Sequence, residues 1–225
     1  MHALDNVIWQ ALTTRQAGFA EGGDLARRFI PTVSPLGAFA EASQAGYDSL
    51  AALAGNHAVA LFLDAPQIPP AGWTQTAATP LLQMLHDGSE LPNHAPEIAE
   101  LTEADVPEMT ALTELTKPGP FAERTRELGT YLGIRKNGVL VAMAGERLRV
   151  PGYTEVSAVC THPDHLGHGY AAALMSAVIQ KIRERGETAF LHVRADNDRA
   201  IALYRRLGFC DRVLLHLSVI RRDRS

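Results

Sequence analysis

The sequence of 225 residues holds two cysteines, Cys160 and Cys210, too few for a disulfide framework. That scarcity fits a reducing compartment, and a cytoplasmic location is expected. A basic excess is also missing. The 21 lysines and arginines stand against 25 aspartates and glutamates, for a formal net charge of −4. Nucleic-acid binders usually carry surplus positive charge, so no nucleic-acid partner is expected. Arg221, Arg222 and Arg224 read as a solvated end. No stretch approaches the roughly 20 apolar residues that span a bilayer, so no membrane partner is expected. The first residues show no basic region leading into a long apolar run, hence no expected signal peptide. Repeats and low-complexity tracts are absent as well. The composition, 46% hydrophobic and 20% charged, is that of a globular chain with room for one large domain or two small ones.

The most informative stretch runs from Val156 to Phe209. Glu155 to Thr161 is β-branched and apolar, which predicts a largely buried strand ended by Pro163. From Tyr170, apolar residues at Leu174, Met175, Val178, Ile179 and Ile182 share one helical face, and Gly186 marks the stop. Gly167 and Gly169 therefore lie in a turn that feeds a helix N-terminus. The first amides of a helix lack internal acceptors, and the macrodipole draws anions to that end. Glycines let a phosphate approach the backbone. A phosphate or pyrophosphate ligand is the expected occupant.

Gly167-x-Gly169-x-x-Ala172, with Asp196 beyond it, also fits a dinucleotide-binding fingerprint. Against that reading, Thr161 to Leu166 intervene between strand and turn, and little chain follows Asp196 to complete a dinucleotide-binding half. A second pattern is more specific. Leu166-Gly167-His168-Gly169-Tyr170-Ala171 is followed by Asn197, Ala200, Tyr204 and Leu207-Gly208-Phe209. These two linked motifs, spread over roughly the last 130 residues, resemble the GNAT superfamily of acetyl-CoA-dependent N-acetyltransferases. Its pyrophosphate loop reads Gln/Arg-x-x-Gly-x-Gly/Ala, and its later motif Asn-x-x-Ala-x-x-x-Tyr-x-x-x-Gly-Phe. Leu166 departs from the resemblance, which prefers Gln or Arg there.

The rest of the chain divides near residue 94. Residues 1–94 predict helix-like spacing over Val7 to Phe19 and Pro35 to Ala54, a strand over His57 to Leu63, proline-rich breaks, and a short helix over Pro80 to His86. Asp87 to Pro96 reads as a linker. This segment resembles a degenerate acetyltransferase-like half, with a packing or homodimer role expected. Residues 95–225 predict an opening strand at Ile98 to Thr102 and a helix from Glu103. A hairpin turning at Asn137-Gly138 and the central strand follow. Ala189 to Val193 is read as parallel to the central strand, Arg199 to Leu207 as a helix, and Val213 to Ile220 as a closing strand. The fold class is α/β in the α+β sense. Its sheet is mixed and mostly antiparallel, with a central parallel strand pair flanked by helices, a GNAT-like acyl-CoA N-acyltransferase fold.

The resemblance implies direct acetyl transfer from acetyl-CoA to a primary amine, with no metal. It assigns cofactor contacts to Val159, Cys160, Thr161, Leu166, Gly167, His168, Gly169, Tyr170, Ala171, Ala172, Asn197 and Tyr204. An alkyl ammonium must shed its proton before attacking, and Glu155 is the expected base, with a surface or ammonium-anchoring role as alternatives. Tyr204 is the expected acid for the departing thiolate, and amides around Val159 to Thr161 would face the oxyanion. The break Lys117 to Phe121 is an acceptor-side specificity element or an inert turn. His192 faces the acceptor or the core. His162, His165 and His168 sit on a turn without a completing ligand set, and His168 is placed with the phosphate loop. A non-catalytic CoA-binding module and a dinucleotide-binding oxidoreductase are the other two classes. The acceptor stays open among small amines, amino acids, antibiotics and protein N-termini, because fold does not fix substrate.

Overall fold

A computed structural model describes residues 2–92 and 96–223. The leading part contains α1 (Val7–Thr13), β1 (Ala20–Gly22), β2 (Ala26–Phe29), β3 (Gly37–Phe39), α2 (Gln44–Ala54), β4 (Val59–Leu63) and β5 (Trp73–His86). Next come β6 (Ala99–Glu100), α3 (Val106–Thr116), β7 (Tyr131–Lys136), β8 (Val139–Val150) and β9 (Tyr153–Thr161). The chain finishes with α4 (Tyr170–Glu184), β10 (Thr188–Arg194), α5 (Asp198–Arg206) and β11 (Phe209–Arg222). Strands β1 to β3 make a small sheet, and the other eight form one sheet in the order β4-β11-β5-β10-β9-β8-β7-β6. All its neighbours are antiparallel except β9 and β10. This is the mixed, mostly antiparallel sheet with one parallel pair that the sequence leads one to expect.

Local chemistry explains the meander. Asn137 and Gly138 both take positive φ, 52° and 83°, which a two-residue hairpin of matching twist requires. Helix α4 lays Leu174, Val178, Ile179 and Ile182 against Ala142, Ala144, Val156 and Leu191 of the sheet. On the opposite face, Leu4, Val7, Ile8 and Leu12 of the leading segment cover Leu148, Val150 and Phe190. Met109 and Leu112 of α3 cover Tyr131, Met143 and Cys160.

Three local expectations are corrected. Pro80 to His86 is not a helix but the second half of β5, paired on both edges with β10 and β11. A strand covered on both faces loses its two-residue period, so Leu81, Met84 and Leu85 mimic helical spacing. Pro80 is tolerated because its carbonyl, needing no N–H, accepts from the Ala195 amide at 3.0 Å. Pro35 to Ala54 is helical only from Gln44, where Ser43 caps the Gly46 amide at 3.2 Å. Val7 to Phe19 stops at Thr13, where the Thr13 and Thr14 hydroxyls bond back to the carbonyls of Trp9 and Gln10.

The boundary expected near residue 94 falls on a connection between strands of one sheet. Strand β5 sits between β10 and β11, and β4 pairs with β11. Residues 93–95 of the expected linker, and Arg224, lie outside the described residues.

Candidate active site

The parallel pair is the feature that opens the sheet. β9 and β10 are in register only over Tyr153 to Glu155 against Thr188 to Phe190. Beyond that point β10 continues with β5 through Arg194, while β9 continues with β8 through Thr161. The two strands therefore diverge. A bulge in β9 sharpens the divergence: the register against β8 shifts between Ser157 and Cys160, and Ala158 takes φ 52°. The His162 amide donates to the Val141 carbonyl at 2.7 Å, and strand alternation then turns the Thr161 and Val159 amides away from β8 into the gap.

A cleft of about 770 Å³ runs through this gap. Val159, Cys160, Thr161, Leu166, Gly167, Gly169, Tyr170, Ala171, Ala172, Asn197 and Tyr204 all line it. The two motifs, about 30 residues apart in sequence, thus meet in one space. Gly167 and Gly169 hold φ 83° and 74°, and Gly169 is the N-cap of α4 without a side-chain cap. A Cβ at either position would meet no atom within 4 Å. The requirement for glycine is therefore conformational, since left-handed backbone costs an L-residue about 1–2 kcal/mol. Gly169→Ala should lower unfolding stability by about 1 kcal/mol and weaken CoA binding severalfold. Chemical denaturation and calorimetry check this, and unchanged CoA affinity would remove the loop from the binding surface. His168 does not line the cleft. Its Nδ1 lies 3.1 Å from the Leu166 carbonyl, and its ring stacks on Tyr170 at 5.4 Å.

Across the cleft, Asn197 accepts from the Ala200 amide at 3.1 Å, which makes it the N-cap of α5. The cap orients a helix whose next turn carries Tyr204. Tyr204 packs edge-on to Phe209 at 6.2 Å, and burial pushes its phenol up to about 12. It keeps its proton at any working pH. Burial likewise pushes the Cys160 thiol up to about 11, so it stays protonated and is a poor nucleophile.

Glu155, expected near the acceptor as the base, does not line the cleft. It is fully buried and both its oxygens are used. Arg147 donates from Nε to Oε2 at 2.8 Å and from Nη2 to Oε1 at 2.6 Å. The Leu148 amide adds a contact to Oε2 at 3.3 Å, and His192 Nδ1 lies 2.7 Å from Oε1. Burial alone would raise this carboxyl, but Arg147 and His192 outweigh it and hold the group down, at about 2. A carboxylate so held is a weak base.

His192, left undecided by the sequence, both lines the cleft and joins this network. Its Nε2 lies 3.0 Å from Gln83 Nε2. Gln83 donates to the Leu4 carbonyl from that nitrogen and accepts from Arg212 on Oε1, which fixes its amide orientation. Nε2 of His192 must then accept, and Nδ1 must carry the hydrogen given to Glu155. Arg212 in turn pairs with Asp5. The leading segment holds the network from below, since Gln16 donates to the Arg147 carbonyl at 2.7 Å and accepts from the Arg149 amide.

Arg147 is the site residue that sequence reasoning misses. A signal existed: counting back through the Pro151-Gly152 turn pairs Thr154 with Arg149, which sets Glu155 beside a charged stretch. Lys117 to Pro120 line the cleft, as do Leu36, Ala60 and Phe62 of the leading segment. Among the described residues no group of three or more His, Cys, Asp or Glu is arranged to hold a metal ion.

Comparison with known proteins bears on this geometry. Residues 131–215 match the FR47-like protein family. The chain is 39% identical over 99 residues to the N-alpha-acetyltransferase RimI of Mycobacterium tuberculosis, a match covering 41% of this chain and 61% of that one. It is 30% identical over 118 residues to the ribosomal protein bS18-alanine N-acetyltransferase of Escherichia coli K12, covering 50% of this chain and 79% of that enzyme. The chain thus spans less than two thirds of the Mycobacterium enzyme. A crystal structure assigned to GNAT-family acetyltransferases, from Novosphingobium aromaticivorans, matches over the full length of both chains at 40% identity and a TM-score of 0.93.

Proposed function

Because the chain belongs to the GNAT family of acetyltransferases, we propose that it moves an acetyl group from acetyl-CoA to a primary amine by direct attack. The observation that carries this reading is that one cleft joins the amide-rich loop Gly167 to Ala172 with Tyr204 through the split between β9 and β10. The loop amides and the positive end of α4 grip the diphosphate. The pantetheine arm follows the split toward the bulge, in the manner of an extra strand in the gap.

The amine nitrogen attacks the thioester carbon, and the developing oxyanion meets the amides turned into the gap at Val159 and Thr161. Collapse breaks the carbon–sulphur bond, the thiolate takes the Tyr204 proton, and water returns a proton to the phenolate. The amine's surplus proton leaves to water. We assign Glu155 to holding Arg147 and His192 in place, because its oxygens are engaged and its affinity for protons is low. Cys160 forms no acyl-enzyme in this scheme.

Incubation with acetyl-CoA and a panel of amines, peptide N-termini included, is expected to release CoA with matching N-acetylated product by mass spectrometry. CoA that binds without turnover across the panel would favour a non-catalytic module. Binding of NAD with no affinity for acetyl-CoA would return the case to a dinucleotide enzyme.

A further inference from the structure

The cleft extends to the face of the sheet opposite α4 and α5. Along β10, Leu191 and Val193 join the core under α4, so alternation sends His192 and Arg194 to the other side. There His192 packs on Phe62 at 4.7 Å. The register of β4 against β11 sets Phe62 opposite Leu217 and Ala60 opposite Val219. All four line the cleft with Leu36, giving this end an apolar wall.

Lys117, Arg147, Arg194, Arg199 and Arg206 line the cleft, and no aspartate or glutamate does among the described residues. Arg199 and Arg206 stand on α5, and Arg194 is paired with Asp196, which leaves Arg147 as the cation beside the apolar wall. Arg147 is the buried one, 9% exposed. Its Nε and Nη2 are engaged by Glu155, while Nη1 has no protein acceptor among the described residues. Glu155 has no oxygen left to receive a substrate ammonium. A site that recognised its acceptor by a positive charge would need the opposite arrangement.

Resting on the proposed acetylation of an amine, we infer that the acceptor carries a carboxylate and an apolar side chain, as a free α-amino acid does, and that Arg147 is its specificity-determining residue. Nη1 of the guanidinium receives the carboxylate, Glu155 keeps the fork from swinging, and the wall from Leu36 to Val219 takes the side chain. The peptide N-terminus of a protein, whose carboxylate is consumed in an amide bond, would lose that contact.

The test compares leucine, methionine and phenylalanine with their carboxamides and their decarboxylated amines, at matched concentrations of neutral amine. The free acids should show kcat/KM higher by about ten- to a hundredfold, the worth of a charge-assisted pair. Arg147→Lys, which keeps the charge but not the planar fork, should bring the ratio of kcat/KM for acid over decarboxylated amine close to one, whatever it does to the absolute rates. Equal rates for acids and decarboxylated amines, or faster carboxamides, would overturn the inference and leave amine acetylation standing. CoA release no faster than thioester hydrolysis with every acceptor, peptides included, would overturn both. Should Arg147→Lys fail to fold by thermal melting, the wild-type comparison alone decides.

Discussion

Replacing Tyr204 by phenylalanine is expected to lower kcat by about 10²- to 10⁴-fold, the range typical of a lost general acid, while the Kd for CoA stays within about twofold. The reasoning rests on location. Tyr204 lines the cleft from α5, whereas the diphosphate grip proposed above belongs to the loop before α4. Its phenol, raised to about 12 by burial, holds a proton across the working range and gives no basic limb of its own to the pH–rate profile. Phenylalanine preserves the edge contact to Phe209 and removes only the hydroxyl. Stopped-flow release of CoA and calorimetry separate the two quantities. Weakened CoA binding with normal turnover at saturation would take Tyr204 out of the acid role.

Glu155→Gln is expected to cost about 3–5 kcal/mol of stability at pH 7, the usual penalty for leaving a buried charge without its partner. The amide cannot balance Arg147, and it offers His192 one acceptor where a carboxylate offered two. The pH dependence follows from the direction of the shift. The folded carboxyl is depressed, so its contribution is complete above the unfolded value of about 4.3. That contribution fades as pH falls toward about 2. Urea unfolding should therefore show a wide gap between wild type and variant at pH 7 that narrows below about pH 4. Kinetically the variant should raise the acceptor KM, because Arg147 loses its brace. Were Glu155 the proton acceptor, kcat would instead collapse with stability intact, and the assignment made above would have to be withdrawn.

How much of this could be read beforehand varies with the kind of signal. The glycine turn before α4 and the motif from Asn197 to Phe209 were legible because glycine, a cap and a helical face leave marks at fixed local spacing. The hairpin of β7 and β8 was legible from Asn137-Gly138 for the same reason. Strand β5 was hidden because burial on both faces erases periodicity, and a proline within it argued for a break. Arg147 was hidden for a different cause. Its side-chain partner Glu155 lies 8 residues away and Gln16, which holds its carbonyl, 131, and its meaning depends on a β8 irregularity between Glu146 and Arg149 that no local pattern announces. Gln83 is a further case, a polar residue fully buried in an apolar strand and explained only by His192 and Arg212.

The sheet order has a consequence for how the molecule is made. Strands β4 and β5 are synthesised well before the neighbours that satisfy their edges, β11 and β10. Until then the nascent chain carries two apolar ribbons with open hydrogen-bonding rows. Pairings this distant along the chain close slowly, and waiting edges invite contact with other chains. Yield during expression should therefore depend strongly on temperature and on chaperone supply, even for a protein whose finished form is well packed.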